Sequence, residues 1–118
     1  MTLDDIYHAI GQVIVDSIEE DWQIAQLSIT RLDKYTSVSG TYKTVSGEEK
    51  PINDSNFGYP FSKLIHKLHA LITSDGKSRW NKLKFKLFPT GKFEIDFIWD
   101  QEYQDEIDRL NAEARRGK

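Results

Sequence analysis

Apolar residues recur at helical spacing near the start of the chain and predict an amphipathic first helix. Its apolar stripe consists of Leu3, Ile6, Ile10, Val13, Ile14 and Ile18. Thr2 is placed to cap this helix, and Asp5 can return a hydrogen bond to the cap. The helix is expected to end near the acidic residues that precede Trp22, where the helix dipole disfavours negative charge.

From Trp22 the apolar period changes to two, which predicts β-strands. One face of the first strand would carry Ala25, Leu27 and Ile29, and the other face Gln26, Ser28 and Thr30. A short turn at Asp33 to Tyr35 would join it to a second, antiparallel strand in the segment TSVSGTYKTV. Gly40 within that segment indicates a bulge or a close contact.

The next segment, SGEEKPINDSNFGYP (46–60), is interpreted as a long polar connection. Loops of this length are uncommon in compact domains and are either functional or tolerated at the surface. A second helix is predicted after Pro60, because proline suits the first turn of a helix. Gly76 would close this helix. Its buried stripe would be Phe61, Leu64, Ile65, Leu68 and Ile72.

The segment NKLKFKLFPTGKFEIDF (81–97) predicts a hairpin with Gly91 in the left-handed position of its loop. One register satisfies both faces. It pairs Lys86 with Glu94, Lys84 with Asp96, Leu87 with Phe93, Phe85 with Ile95, and Leu83 with Phe97. The charged face would fix this register and keep the sheet soluble. Trp80 and Ile98 are expected on the same face, and an aromatic residue beside a lysine row is also typical of a protein contact surface.

A last helix is predicted from about Asp100 to Arg115, with a thin apolar face of Tyr103, Ile107, Leu110 and Ala114. The order of elements is then α-β-β-α-β-β-α. This order favours an α+β fold, in which helices cover one face of a four-stranded antiparallel sheet. A chain of 118 residues has room for one core, so residues 1–118 are interpreted as a single domain.

Composition narrows the class of protein. The chain has no cysteine, which excludes disulfides and thiolate metal sites. No apolar run approaches the roughly 18 residues of a membrane-spanning helix, and the N-terminus lacks the basic region of a secretory signal. We therefore expect a cytoplasmic protein without membrane contact. The net charge of −3 argues against direct binding of nucleic acid.

Candidate catalytic and metal-binding residues are few. His66 and His69 would share a strip of the second helix, but no third ligand is marked, so both are expected to be exposed. His8 is expected at the boundary of the first helix's apolar stripe. Glu94 and Asp96 face lysines, which keeps carboxylates ionised and does not suit a general acid. Neither an enzyme, nor a metal site, nor a cofactor is predicted.

Two acidic clusters are the candidate binding elements. Glu19, Glu20 and Asp21 precede Trp22, and the second cluster opens the last helix, where it also complements the helix dipole. If the clusters lie close together, they would form an acidic patch that steers a basic partner. The candidate binding residues are Glu19, Glu20, Asp21, Trp22, Trp80, Asp100, Glu102, Tyr103 and Asp105.

The segments IYHAIGQVIVDSIEEDWQIAQL (6–27) and RWNKLKFKLFPTGKFEIDFIWD (79–100) resemble the YezG-like family of small immunity proteins. The second segment is the more specific, and the similarity covers roughly residues 3 to 108. The family is linked to polymorphic toxin and contact-dependent growth inhibition systems. The resemblance implies an antitoxin without catalytic residues. Its partner would be a cognate toxin, such as a basic nuclease domain, blocked by stoichiometric occlusion of its active site or substrate cleft.

Other classes of function are left open by the residues. One is a small nucleic-acid-binding regulator or a metal-dependent enzyme that uses His66 or His69. Another is a self-associating structural domain that uses the face assigned to Trp80.

Overall fold

The computed structural model of the protein describes residues 2–31, 36–74 and 79–116. The helices are α1 (Leu3–Asp16), α2 (Tyr59–Thr73) and α3 (Gln101–Arg116), with a short 3-10 turn at Asp54–Asn56. The strands are β1 (Trp22–Arg31), β2 (Thr36–Thr44), β3 (Glu49–Pro51), β4 (Lys82–Leu87) and β5 (Phe93–Ile98). They form one antiparallel sheet in the order β3-β2-β1-β4-β5. The α+β class is confirmed, but the sheet has five strands where four were predicted.

The additional strand, β3, lies inside the segment predicted to be a loop. It pairs with β2 at the edge of the sheet, where Pro51 lies opposite Thr41. An edge strand tolerates proline because one side of its backbone needs no partner. The next residue, Ile52, is buried and donates its backbone N–H to the carbonyl of Gly40 at 3.0 Å. The residues of β3, Glu49, Lys50 and Pro51, have no alternating apolar pattern, so the strand could not be predicted from hydrophobic periodicity.

Helices α1 and α2 cover one face of the sheet and bury its apolar side chains. The core contains Ile6, Ile10 and Ile14 of α1, Phe61, Ile65 and Leu68 of α2, and Ala25, Leu27, Ile29, Leu83, Phe85 and Leu87 of the sheet. The predicted capping box is present: Thr2 Oγ1 accepts from the Asp5 N–H at 3.2 Å, and Asp5 Oδ2 accepts from the Thr2 N–H at 2.9 Å. Because α1 ends at Asp16, the acids Glu19, Glu20 and Asp21 lie outside the helix.

The predicted hairpin register is confirmed in every pair from Leu83 opposite Phe97 to Leu87 opposite Phe93. Gly91 has φ +91°, the left-handed conformation that the loop requires. Gly40 is a site of close contact, as one of its two predicted readings required. A Cβ atom there would lie 2.6 Å from Leu27 Cδ2. The turn at residues 33–35 and the closing Gly76 lie outside the described residues.

Helix α3 is the least buried of the three helices. None of its side chains from Gln101 to Arg115 is buried, and Tyr103 and Ile107 are half-buried. Leu110 and Ala114, which were predicted on its apolar face, are exposed. Within the described ranges, no helix combines the length and apolar character needed to cross a membrane.

Candidate protein-binding surface

The two predicted acidic clusters lie at opposite ends of the sheet. Asp21 precedes the first residue of β1, whereas Asp100 follows β5 at the end of the sheet where Ile98 pairs with Lys82 and Lys82 pairs with Thr30. At roughly 3.3 Å per residue, the extended chain from Asp21 to Thr30 spans about 30 Å. The clusters therefore do not form one acidic patch, and each is treated as a separate surface.

In the second cluster, Asp100 serves the fold. Its Oδ1 accepts the backbone N–H of Tyr103 at 2.9 Å, which caps α3, and its Oδ2 accepts from Lys82 Nζ at 2.8 Å. The hydrogen bond from Lys82, followed by that from Tyr103, lowers the pKa of the Asp100 carboxyl. Lys82 Nζ also lies 5.1 Å from the centre of the Tyr103 ring. Glu102 and Asp105 are exposed beside this cap.

Trp80 does not lie on the outer face of the sheet, so its predicted position on that face is wrong. It is 1% exposed, and its ring centre lies 5.3 Å from that of Phe97 and 5.2 Å from that of His69. The chain bends at Asn81 before β4 begins, which breaks the alternation that would have placed Trp80 beside Lys82. Within the part of the chain that the structure describes, the Trp80 indole N–H has no hydrogen-bond partner.

The histidines of α2 are less exposed than predicted. His66 and His69 are both half-buried. Burial lowers the pKa of His69, and the positive charge of Arg31 lowers it further. Among the residues that the structure describes, no group of three or more histidine and acidic side chains is arranged to hold a metal ion.

In the first cluster, Glu20 differs from its neighbours. Its Oε2 accepts from Tyr42 Oη at 2.7 Å and from Lys50 Nζ at 3.0 Å, which ties the start of β1 to β2 and β3. These two hydrogen bonds lower the pKa of Glu20, and the bond to Glu20 raises that of Tyr42. Glu19 and Asp21 are exposed, and neither forms a side-chain hydrogen bond or ion pair with another described residue. Their charges are free for a partner.

A groove lies beside this cluster, between α1 and the β4–β5 hairpin. Its volume is about 170 Å³. The apolar and aromatic residues that line it are Tyr7, Val15, Trp22, Leu87, Phe88, Pro89 and Phe93. Gly11 and Gly91 also line it, and His8 and Gln12 are its polar lining residues. The Tyr7 and Phe93 ring centres are 5.4 Å apart. Val15 is 46% exposed and Phe93 is 38% exposed, so the groove presents apolar surface to solvent. We call it the α1–hairpin groove.

Two carboxylates interact with residues that line the α1–hairpin groove, and a third adjoins the lining in the chain. Asp16 Oδ1 accepts from Nε2 of the lining residue Gln12 at 2.9 Å, and Asp21 precedes the lining residue Trp22 in the chain. Asp4 lies close enough to Tyr7 that its charge, after the larger effect of burial, raises the pKa of the tyrosine. Lys92, next to Phe93, brings a positive charge to the hairpin side. The groove is therefore lined mostly by apolar and aromatic side chains together with His8 and Gln12, and the charged residues that adjoin this lining in the chain are mainly acidic.

Of the residues that line the groove, Trp22 was predicted from the sequence to bind a partner and the others were not. A signal was present, because Tyr7, Gly11 and Val15 recur every four residues and so share one face of α1. This face borders the buried stripe of α1. It was not predicted because Tyr7 and Gly11 do not belong to a periodic pattern of aliphatic residues.

A second, polar pocket of about 550 Å³ lies at the opposite end of the sheet. Arg31, Arg79, His69 and Trp99 contribute to its lining, with Asp108 of α3. The Arg79 guanidinium lies 4.2 Å from the centre of the Trp99 ring. This geometry is suited to cation–π contact and to anionic ligands.

The outer face of the β4–β5 hairpin carries the predicted charge rows. Lys84 lies opposite Asp96, and Lys86 opposite Glu94. Although the backbones are in register, no ion pair between these four side chains is formed in the described structure. The rows are thus compatible with both a solvated face and a contact face.

The chain matches no protein-family model and no curated protein. Its resemblance to YezG-like immunity proteins stays a hypothesis from the sequence, and function is inferred from the surfaces described above.

Proposed function

We propose that the chain is an immunity protein that binds a cognate protein toxin and neutralises it by occlusion. The observation that carries the proposal is the α1–hairpin groove, in which the exposed apolar side chains of Val15 and Phe93 lie near the carboxylates of Asp4 and Asp16. Protein interfaces commonly have this organisation, with an apolar and aromatic centre and a polar border. The sequence resemblance to a family of immunity proteins supports the same class of function.

The charge around the groove favours a basic partner. Asp16 and Asp21 are exposed beside it, and Glu19 adds a third uncompensated charge close by in the chain. A nuclease binds phosphates through a basic cleft, and an acidic surface is complementary to such a cleft. Covering that cleft would exclude the nucleic acid both sterically and electrostatically.

The proposal assigns different roles to the predicted binding residues. Asp21, Trp22 and Glu19 belong to the contact surface, whereas Glu20 holds the fold through Tyr42 and Lys50. Asp100 is a helix cap in this scheme. Glu102, Tyr103 and Asp105 are at the opposite end of the sheet and become controls.

The test is co-expression with candidate nuclease toxin domains, beginning with any that is encoded next to the gene for this chain. We expect a 1:1 complex that survives high salt and suppresses a nuclease activity. Val15→Gln should weaken this complex. Leu110→Gln is its matched control, because Val15 on α1 and Leu110 on α3 are each 46% exposed. Loss of inhibition by Leu110→Gln alone would place the contact on α3. A folded chain that forms no complex would overturn the immunity function.

A second candidate function is favoured by the polar pocket. Arg79 stacked on Trp99, with Arg31 in the same lining, is a combination found in proteins that bind single-stranded nucleic acid. A labelled RNA or DNA oligonucleotide should then bind with strong salt dependence, and Arg79→Ala should abolish the binding. The net charge of −3 weighs against this candidate.

A further inference from the structure

The α1–hairpin groove has the size of one large side chain. Its volume is about 170 Å³, and an apolar cavity of roughly 150 Å³ is known to hold a benzene molecule. Its walls are the Tyr7 and Trp22 rings, the Val15 and Leu87 side chains, and the Phe93 ring. A leucine or phenylalanine side chain would contact apolar atoms on several sides.

Gly11 keeps the groove open, although neither backbone conformation nor packing requires a glycine there. It lies in the interior of α1, and its φ is not positive. A Cβ atom at this position would meet only Leu87 Cδ1 at 3.8 Å and Leu87 Cδ2 at 4.0 Å, which are ordinary contacts. Glycine is a weaker helix former than alanine. The feature that glycine does provide is the space in the groove.

The charges near the groove indicate which residues of the partner lie beside the inserted side chain. Asp4, Asp16 and Asp21 are exposed and lie next to, or within one helical turn of, groove-lining residues. Lysine or arginine residues beside the inserted side chain would face these carboxylates. An acidic segment would be repelled by them.

We infer that the α1–hairpin groove receives one large apolar side chain from a basic segment of the partner protein. The identity of that partner rests on the proposed function, whereas the chemistry of the groove can be tested without a toxin. The inserted side chain acts as an anchor, and the carboxylates select its basic neighbours. Buried anchors of this kind dominate the binding energy of many protein interfaces.

The first test is an NMR titration of the isotope-labelled chain with capped tripeptides. The lysine-leucine-lysine peptide should shift the amide signals of Gly11, Val15 and Phe93 in a saturable way. The lysine-alanine-lysine peptide and the glutamate-leucine-glutamate peptide should each bind about tenfold more weakly. Absence of shifts, or equal shifts with the alanine peptide, would overturn the inference.

Two variants link these shifts to the groove. Gly11→Leu fills it and should abolish the shifts, and Gly11→Ala, which the helix accommodates, should weaken binding partially. Ala70→Leu adds the same side chain at an exposed position of α2 and should leave binding unchanged. Unaltered binding by a folded Gly11→Leu chain would show that the peptide lies elsewhere.

The same variants in the toxin complex separate the two proposals. We expect Gly11→Leu to increase the dissociation rate by about tenfold or more. A toxin inhibited equally by wild type and Gly11→Leu would retain the immunity function and overturn the anchor. Peptide binding that depends on Gly11, without inhibition of a toxin, would support the anchor and contradict the immunity function.

Discussion

Asn81 and Asp100 hold each other through two hydrogen bonds between one side chain and one backbone. Asn81 Nδ2 donates to the Asp100 carbonyl at 2.8 Å, and the Asp100 N–H donates to Asn81 Oδ1 at 2.9 Å. Asn81 is 2% exposed. The pair joins the start of β4 to the start of α3, so it fixes both the bend that buries Trp80 and the position of the last helix.

Asn81→Ala should lower the free energy of unfolding by about 1–3 kcal/mol, because two hydrogen bonds are lost and the Asp100 N–H is left without its partner, whereas the Asp100 carbonyl still accepts from the Gln104 N–H. Urea denaturation would measure this change. Asn53→Ala is the matched control, since exposed Asn53 makes one local hydrogen bond to Ser55. A loss below about 1 kcal/mol for both variants would mean that water replaces the Asn81 bonds.

Gly40→Ala should destabilise the fold. The new Cβ would lie 2.6 Å from Leu27 Cδ2 and 3.0 Å from the Gln26 carbonyl oxygen, and the backbone of β1 cannot move freely. Overpacking of this kind costs about 1–3 kcal/mol. Thermal and urea unfolding of the purified variant would reveal the loss. Stability equal to that of wild type would show that β1 and β2 separate easily at this point.

Gly11→Ala makes the same substitution as Gly40→Ala, but we expect it to stabilise the fold. The position is helical and a Cβ has room, so the free energy of unfolding should rise by about 0.5–1 kcal/mol. The measurement is the shift of the urea midpoint relative to wild type. A destabilised Gly11→Ala chain would indicate a packing reason for glycine and would remove one support of the anchor proposal.

The pH dependence of stability should reflect Glu20. Hydrogen bonds from Tyr42 and Lys50 hold its pKa in the folded state below the ordinary value of 4.5. The unfolded chain therefore takes up the proton first, and the stabilising contribution is present above about pH 4.5 and lost as pH falls through the folded-state pKa. Glu20→Gln should flatten the acid limb of the stability curve, measured by urea unfolding between pH 2 and 7. Glu19→Gln, without those bonds, should leave the limb unchanged.

The hairpin could be predicted completely because two independent patterns specify one register. The charge rows require Lys84 opposite Asp96, and the apolar rows require Phe85 opposite Ile95. A shift by one residue would violate both. The glycine at position 91 adds a third, local constraint through its positive φ.

Prediction failed where one hydrogen-bonding residue redirects the chain. Continued alternation would have placed Trp80 beside Lys82, but the chain bends at Asn81. The residues around Asn81 do not indicate that it forms hydrogen bonds with Asp100, nineteen positions away in the chain. The edge strand β3 was missed because its pairing depends on the backbone of β2 and not on its own side chains. The separation of the acidic clusters likewise follows from strand order, which a local pattern does not contain.

The last prediction concerns which acidic cluster meets the toxin. Removing both charges beside the groove, with Asp16→Asn and Asp21→Asn, should slow association by about threefold at low salt and have less effect at high salt, because exposed charges act mainly on the encounter. Glu102→Gln with Asp105→Asn removes the same charge at the far end of the sheet and should change the rate little. Surface plasmon resonance at two salt concentrations gives both rates. If the second pair slowed association and the first did not, the contact would move to α3, and the groove would lose its role in recognition.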